Sequence, residues 1–218
     1  MLPSEARLAC RFSVNRHTLR RAIDELVADG LLERRHGVGT FLLNPLIDYR
    51  IQGNTRFTET LERAGHMTRS RVVRQLTVPA SGGVARHLGL SEGTEVVWIE
   101  TVRDVEDAPF CITSHFLPAA AFGAVCAEYH GGSLHGLLLA RLGVRLRRVT
   151  SLVTAITPRG EDASLLRIPR HKPVLRVKSV NVSTATEETV EYAVSRFRSD
   201  RVELSMHPDP AESAEELG

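Results

Sequence analysis

The chain has 218 residues, 42% hydrophobic and 25% charged, an ordinary soluble globular composition with room for a small domain and a medium one. A net charge of +2 excludes a surface that is basic throughout, so any site for a polyanion is local. Cys10, Cys111 and Cys126 stand too far apart for a disulfide framework or a zinc knuckle, and no apolar run nears the ~20 residues that span a bilayer. A cytoplasmic protein without metal, cofactor or membrane partner is expected.

In chain order, Ser4 is placed to cap a short helix, EARLACRF, with Leu8 and Phe12 on one face. SVN turns the chain, and Asn15 caps a second helix in which Leu19, Ala22, Ile23, Leu26 and Val27 form an apolar stripe. Asp29-Gly30 ends that helix, and LLERRHGVGTFLL alternates around Gly37 and Gly39 as a two-stranded ribbon with a glycine tip. Arg16, His17 and Arg20 project opposite the stripe near the helix N-terminus. In a helix-turn-helix that end enters the major groove, where arginine pairs with guanine O6/N7 or clamps a phosphate. Thr18 suits a phosphate or a thymine methyl. The tip, Arg34-Arg35-His36-Gly37, suits the backbone or an adjacent minor groove, where glycine permits close approach. A solvated helix face would explain three arginines in isolation. A capped helix, a tight turn, a basic helix and a basic glycine ribbon in succession favour double-stranded DNA.

Residues 43–54 lack a sustained period and read as a linker between a first domain, 1–42, and a second, 55–207. Strands are expected over 70–78, 94–105, 110–117, 144–157, 174–184 and 188–198, and helices over 57–64, 80–88, 133–141 and 159–166. Short turns such as VEDAP between successive strands indicate an antiparallel sheet, and hence an α+β fold. The tail 208–218 is acidic and expected to be disordered. GGSLH sets two glycines and Ser133 at a helix start, where free N–H groups and the helix dipole favour an anion. Arg103 and Glu191 stand in strands that otherwise read as core, so each needs a partner or an opening to solvent. HExxH, paired Cys/His metal spacings and a nucleophile elbow are all missing from the sequence, which argues against an enzyme.

The stretch LPSEARLACRFSVNRHTLRRAIDELVADGLLERRHGVGTFL resembles the winged helix-turn-helix of the GntR family of bacterial regulators. The resemblance implies DNA contacts at Arg16, Thr18, Arg20 and Gly37, with His17, Arg35 and His36 beside them. The family carries a further helix before LPSE, so residues 1–42 are expected to be this domain without its first helix. Ala6 stands where many relatives have arginine. Farther along, RFTETLERAGH, LGLSEGTEVVWIETVRD, SLHGLLLARLGVRL and EYAVSRFRSDRVEL resemble the effector domain of the HutC subfamily, called UTRA. That domain is similar to chorismate lyase, an antiparallel sheet flanked by helices. Within the subfamily the pattern is most similar to regulators of phosphonate utilisation.

The resemblance implies ligand contacts at Phe57, Thr58, Arg103, Ser133, His135, Glu191 and Phe197. His135 replaces the tyrosine, and Thr101 the second arginine, common in relatives that sense sugar phosphates. The expected protein is a homodimeric repressor of operator DNA responding to a small anion, such as a phosphonate or a phosphate-containing compound. The alternatives are a chorismate-lyase-like enzyme and a small-molecule sensor that does not bind DNA.

Overall fold

Short polar side chains define the first two helices of the computed structural model, which describes residues 1–29, 31–42, 46–51, 53, 61–62 and 65–206, with Arg35 by its backbone. Helix α1 (Glu5–Arg11) is capped by Ser4, whose hydroxyl accepts from Arg7 N–H at 3.4 Å. Helix α2 (Arg16–Ala28) is capped by Asn15, whose Oδ1 accepts from Thr18 N–H at 2.7 Å. The ribbon follows as β1 (Leu32–Arg35) and β2 (Gly39–Leu42), paired antiparallel with Arg35 opposite Gly39. Gly37 takes φ +71° at the tip with open space around it, a conformation that a side chain would disfavour.

These elements form one compact unit, Met1–Leu46, around Leu8, Ala9, Leu19, Ile23 and Leu32. Only part of the expected stripe is covered. Leu19 and Ile23 are buried and Val27 half-buried, whereas Ala22, Leu26 and Phe12 are exposed. Periodicity identifies the apolar side of a helix. Which part of that side meets a neighbour depends on where α1 and β1 lie.

The second unit, Ile47–Gly218, is built on six antiparallel strands in the order β4-β5-β6-β9-β8-β7. They are β4 (Thr68–Pro79), β5 (Glu95–Val105), β6 (Ala108–Pro118), β7 (Leu146–Ile156), β8 (Val174–Ser183) and β9 (Thr189–Arg198). The expected strands all appear, with ends shifted by one to a few residues. Glu106 and Asp107, both at positive φ, make the turn between β5 and β6. Helices α3 (Gly82–Leu88) and α6 (Asp162–Leu165) lie on one face, over Val96 and Tyr192 and over Val102 and Ile112 respectively. Helices α4 (Ala119–Ala127) and α5 (Leu134–Leu142) cover the other face, burying Ile99, Leu117, Cys126 and Leu138. Covering both faces explains why β5 is buried almost throughout instead of alternating between buried and exposed residues.

Two features depart from the sequence expectation. Ile47–Arg50, inside the stretch read as a linker, is strand β3, pairing in parallel with β10 (Val202–Ser205) and burying Ile47 and Tyr49. Four residues are too few to show a period, and the partner lies 155 residues farther along the chain, Ile47 against Val202. Helix α4 was not expected, because AAAFGAVCA is small and apolar all round and carries no stripe. Phe57, Thr58, most of the expected helix 57–64 and the tail 208–218 lie outside the described residues.

On the α6 face, Arg196 is the hub of a mostly buried polar network. Its Nη2 donates to Glu100 at 2.7 Å, its Nε to Asp162 at 2.9 Å and its Nη1 to the Ser114 hydroxyl at 3.0 Å. Arg196→Met leaves two acidic groups without their cation, and the expected loss is about 3–5 kcal/mol. Urea unfolding of the variant against the unsubstituted protein checks this.

Candidate functional site

Strand register sets the floor of the principal cavity. Thr101 pairs with Thr113, Thr113 with Ser195, His115 with Ala193, Glu191 with Asn181, and Asn181 with Arg148. Cross-strand partners share a face of the sheet, so these polar groups and Arg103, two residues from Thr101 on β5, point to the side covered by α4 and α5. They line a cavity of about 590 Å³, its open mouth included, with the start of α5 on its wall and Tyr49 of β3 contributing.

The Gly131-Gly132-Ser133 turn brings α5 to the cavity. Gly131 forms a bridge to Arg71 on β4, and a Cβ on it would lie 2.7 Å from the carbonyl oxygen of Ser70. Gly132 takes φ +78°, again in the glycine region. The Gly132 carbonyl accepts from Tyr129 Oη at 2.9 Å and from Arg103 Nη2 at 3.5 Å, while the Ser133 hydroxyl accepts from Gly136 N–H at 3.1 Å. At the first turn of a helix the leading N–H groups have no intrahelical acceptor, and here Ser133, Leu134 and His135 all line the cavity.

Glu191 is wholly buried and binds three donors: His115 Nδ1 at 2.5 Å, His135 Nε2 at 2.7 Å and Asn181 Nδ2 at 2.5 Å. Burial pushes its carboxyl pKa upward. The charge of His135 and the hydrogen bonds from His115 and His135 outweigh that and hold it well below the ordinary carboxylate range. An ionised carboxylate only accepts, so the proton assignment at these contacts follows: His115 carries hydrogen on Nδ1 and His135 on Nε2.

Arg103, Ser133, His135 and Glu191, all expected from the sequence, thus come together in one cavity. Phe197 does not line it. It is buried behind the wall, stacked on Tyr49 at 5.6 Å and edge-on to Phe110 at 5.8 Å, where it supports Tyr49. His115, Asn181 and Arg148 were missed. The available signal was Thr113-Ser114-His115, a polar run in the middle of FCITSHFL, of which Thr113 and His115, at i and i+2, share the cavity face. Cys111 and Cys126 are buried, and burial pushes each thiol up to about 11, which makes them inert as nucleophiles.

In the first unit, Arg16, His17 and Thr18 are exposed along the start of α2, and His36 and Gly37 along the ribbon tip. Arg20 is exposed too, but its Nη2 pairs with Glu5 of α1 at 2.9 Å. The hydrogen bond from Arg20 holds the Glu5 carboxyl below its ordinary range. Arg34 turns back toward Asp24 and Glu5. An exposed pair of this kind is weak and can yield to a phosphate.

A capped basic helix and glycine wing joined to an antiparallel sheet with a polar cavity define a DNA-binding transcriptional regulator with a ligand-binding domain. Residues 1–42 match the family model "Bacterial regulatory proteins, gntR family", and residues 63–203 match the UTRA domain; the chain belongs to the GntR family and carries a UTRA domain. It is 37% identical over 206 residues to "Probable transcriptional regulator PhnF" of Escherichia coli (strain K12), covering 94% of this chain and 85% of that protein. It is 29% identical to the HTH-type transcriptional repressor NagR of Bacillus subtilis (strain 168), covering 92% of this chain and 82% of that one. The crystal structure of PhnF from Mycobacterium smegmatis superposes with a TM-score of 0.72 at 25% identity, covering 96% of this chain and 92% of that one. These are regulators, and the chain is a regulator rather than an enzyme.

Glu191 has a folded pKa below its unfolded value. Its stabilisation is therefore complete above the unfolded carboxylate pKa, about 4.3, and is lost as the pH falls through the lower folded value. Glu191→Gln should be less stable than the unsubstituted protein at pH 7 and converge with it in strong acid. Urea titrations at pH 7, 5 and 3 measure this.

Proposed function

We propose that this regulator is a cytoplasmic homodimeric repressor whose UTRA domain binds a small anion carrying a phosphonate or phosphate group. The observation behind the reading is the grouping of Arg103, Ser133 and the first turn of α5 around one cavity. A guanidinium and the N–H groups of a helix's first turn are complementary to a tetrahedral oxyanion. The absence of a second arginine at Thr101, and histidine rather than tyrosine at position 135, leave less cationic and hydroxyl recognition than a sugar phosphate would use.

On DNA, α2 enters the major groove with Arg16, His17, Thr18 and Arg20 foremost, and the wing residues Arg35, His36 and Gly37 meet the backbone or the minor groove. Two-fold symmetry places half-sites about one helical turn, ~10 bp, apart. The ligand changes operator affinity only by the difference in its own affinity for the DNA-competent and DNA-incompetent states.

Arg16→Ala and Arg20→Ala are each expected to weaken operator binding by about 1–3 kcal/mol, and loss of a phosphate contact lowers the salt slope by about 1. Fluorescence anisotropy with operator DNA across a salt series tests both. Unchanged affinity in both variants would falsify the DNA assignment. For the ligand half, Arg103→Met should abolish the rise in melting temperature that methylphosphonate produces in the unsubstituted protein. A rise of the same size in the variant counts against the anion site.

A further inference from the structure

At the β7–β8 end of the cavity, two neighbouring residues hold hydrogen-bonding atoms that nothing satisfies. Nε and Nη1 of Arg148 and Oδ1 of Asn181 are sealed from solvent without a hydrogen-bond partner among the described residues. Both residues line the cavity, and they stand opposite each other on β7 and β8. Asn181 is only 1% exposed, and its Nδ2 is committed to the Glu191 carboxylate, which fixes Oδ1 as the acceptor turned away from it. Leaving a buried donor or acceptor unmatched costs about 1–3 kcal/mol, and Arg148, half-buried on the cavity lining, can turn these donors to a group placed there.

Their chemistry is specific. Arg148 offers a permanent positive charge and N–H groups on two different edges of the guanidinium, which calls for an anionic tail with more than one oxygen. Asn181 Oδ1 beside it calls for a hydroxyl or amine hydrogen. Arg148 lies four strands from Arg103 in the order β5-β6-β9-β8-β7, about 19 Å of backbone at ~4.8 Å per strand. Both arginines line the cavity, so they stand toward opposite ends of its floor.

Building on the anion reading above, we infer that the effector is two-headed. Its phosphonate or phosphate head meets Arg103 and the start of α5. A carboxylate tail meets Arg148, and a neighbouring hydroxyl or amine donates to Asn181 Oδ1. Glu191 orients the amide of Asn181 and the rings of His115 and His135 between the two ends.

Isothermal titration of the full chain with methylphosphonate, phosphonoacetate, 3-phosphonopropionate and 4-phosphonobutyrate tests the inference. At least one phosphonocarboxylate is expected to bind ten-fold or more tighter than methylphosphonate, and in Arg148→Met that ratio should fall to about one. Arg148→Gln, which keeps N–H donors without charge, should lie between, and circular dichroism establishes that both variants are folded. If methylphosphonate binds but no phosphonocarboxylate exceeds it, or if the advantage survives Arg148→Met, the tail site is wrong and the anion reading stands. If the phosphonocarboxylates bind through Arg148 while Arg103→Met changes nothing, the head assignment is the one that fails. If none of the four binds, both fall.

Discussion

The fully buried carboxylate of Glu191 is the constraint on which the ligand-binding unit turns. A single acidic group takes hydrogen bonds from His115 on β6, His135 on α5 and Asn181 on β8, and it stands itself on β9. Three strands and a helix are thereby tied at one point inside a layer whose core is built of apolar contacts. Removing such a charge from water is costly, and only the convergence of several donors makes it tolerable. The same convergence gives the cavity its chemistry, because each group that satisfies Glu191 is oriented by doing so.

The sheet separates two kinds of polar burial. On one face Arg196 closes a network with Glu100, Asp162 and Ser114 in which each guanidinium nitrogen finds an acceptor. On the other, Glu191 is satisfied while Arg148 and Asn181 retain unmatched atoms. The first arrangement is structural. The second leaves hydrogen-bonding capacity unused at residues that line the cavity.

The unit that carries α2 uses a lighter design. Five buried apolar residues and two side-chain caps hold α1, α2 and the ribbon. Among the described residues its arginines stay at the surface, three of them tethered to acids of the same unit, Arg20 to Glu5, Arg21 to Glu25 and Arg34 to Asp24. Tethering limits the rotamers open to a long side chain, at the small energetic gain of an exposed ion pair.

The six long strands, both caps, the glycine wing and the antiparallel arrangement were legible in the sequence, because each rests on local physics: period-two patterning, short polar caps and glycine at positive φ. Arg103, Ser133 and Glu191 were legible for a related reason, since charged groups in core-like strands and a glycine pair at a helix start are anomalies on their own, whereas His135 was reached only through the family resemblance. Other features needed the tertiary structure. The pairing of Ile47–Arg50 with Val202–Ser205 joins segments too short to show a period, and α4 has no polar side to reveal it. That Phe197 lies behind Tyr49, and that Arg148 stands beside Asn181 at the far end of the cavity, follows from strand order and register. Which residues a strand presents to each face is local information. Which strands lie side by side is decided by the packing of the whole sheet.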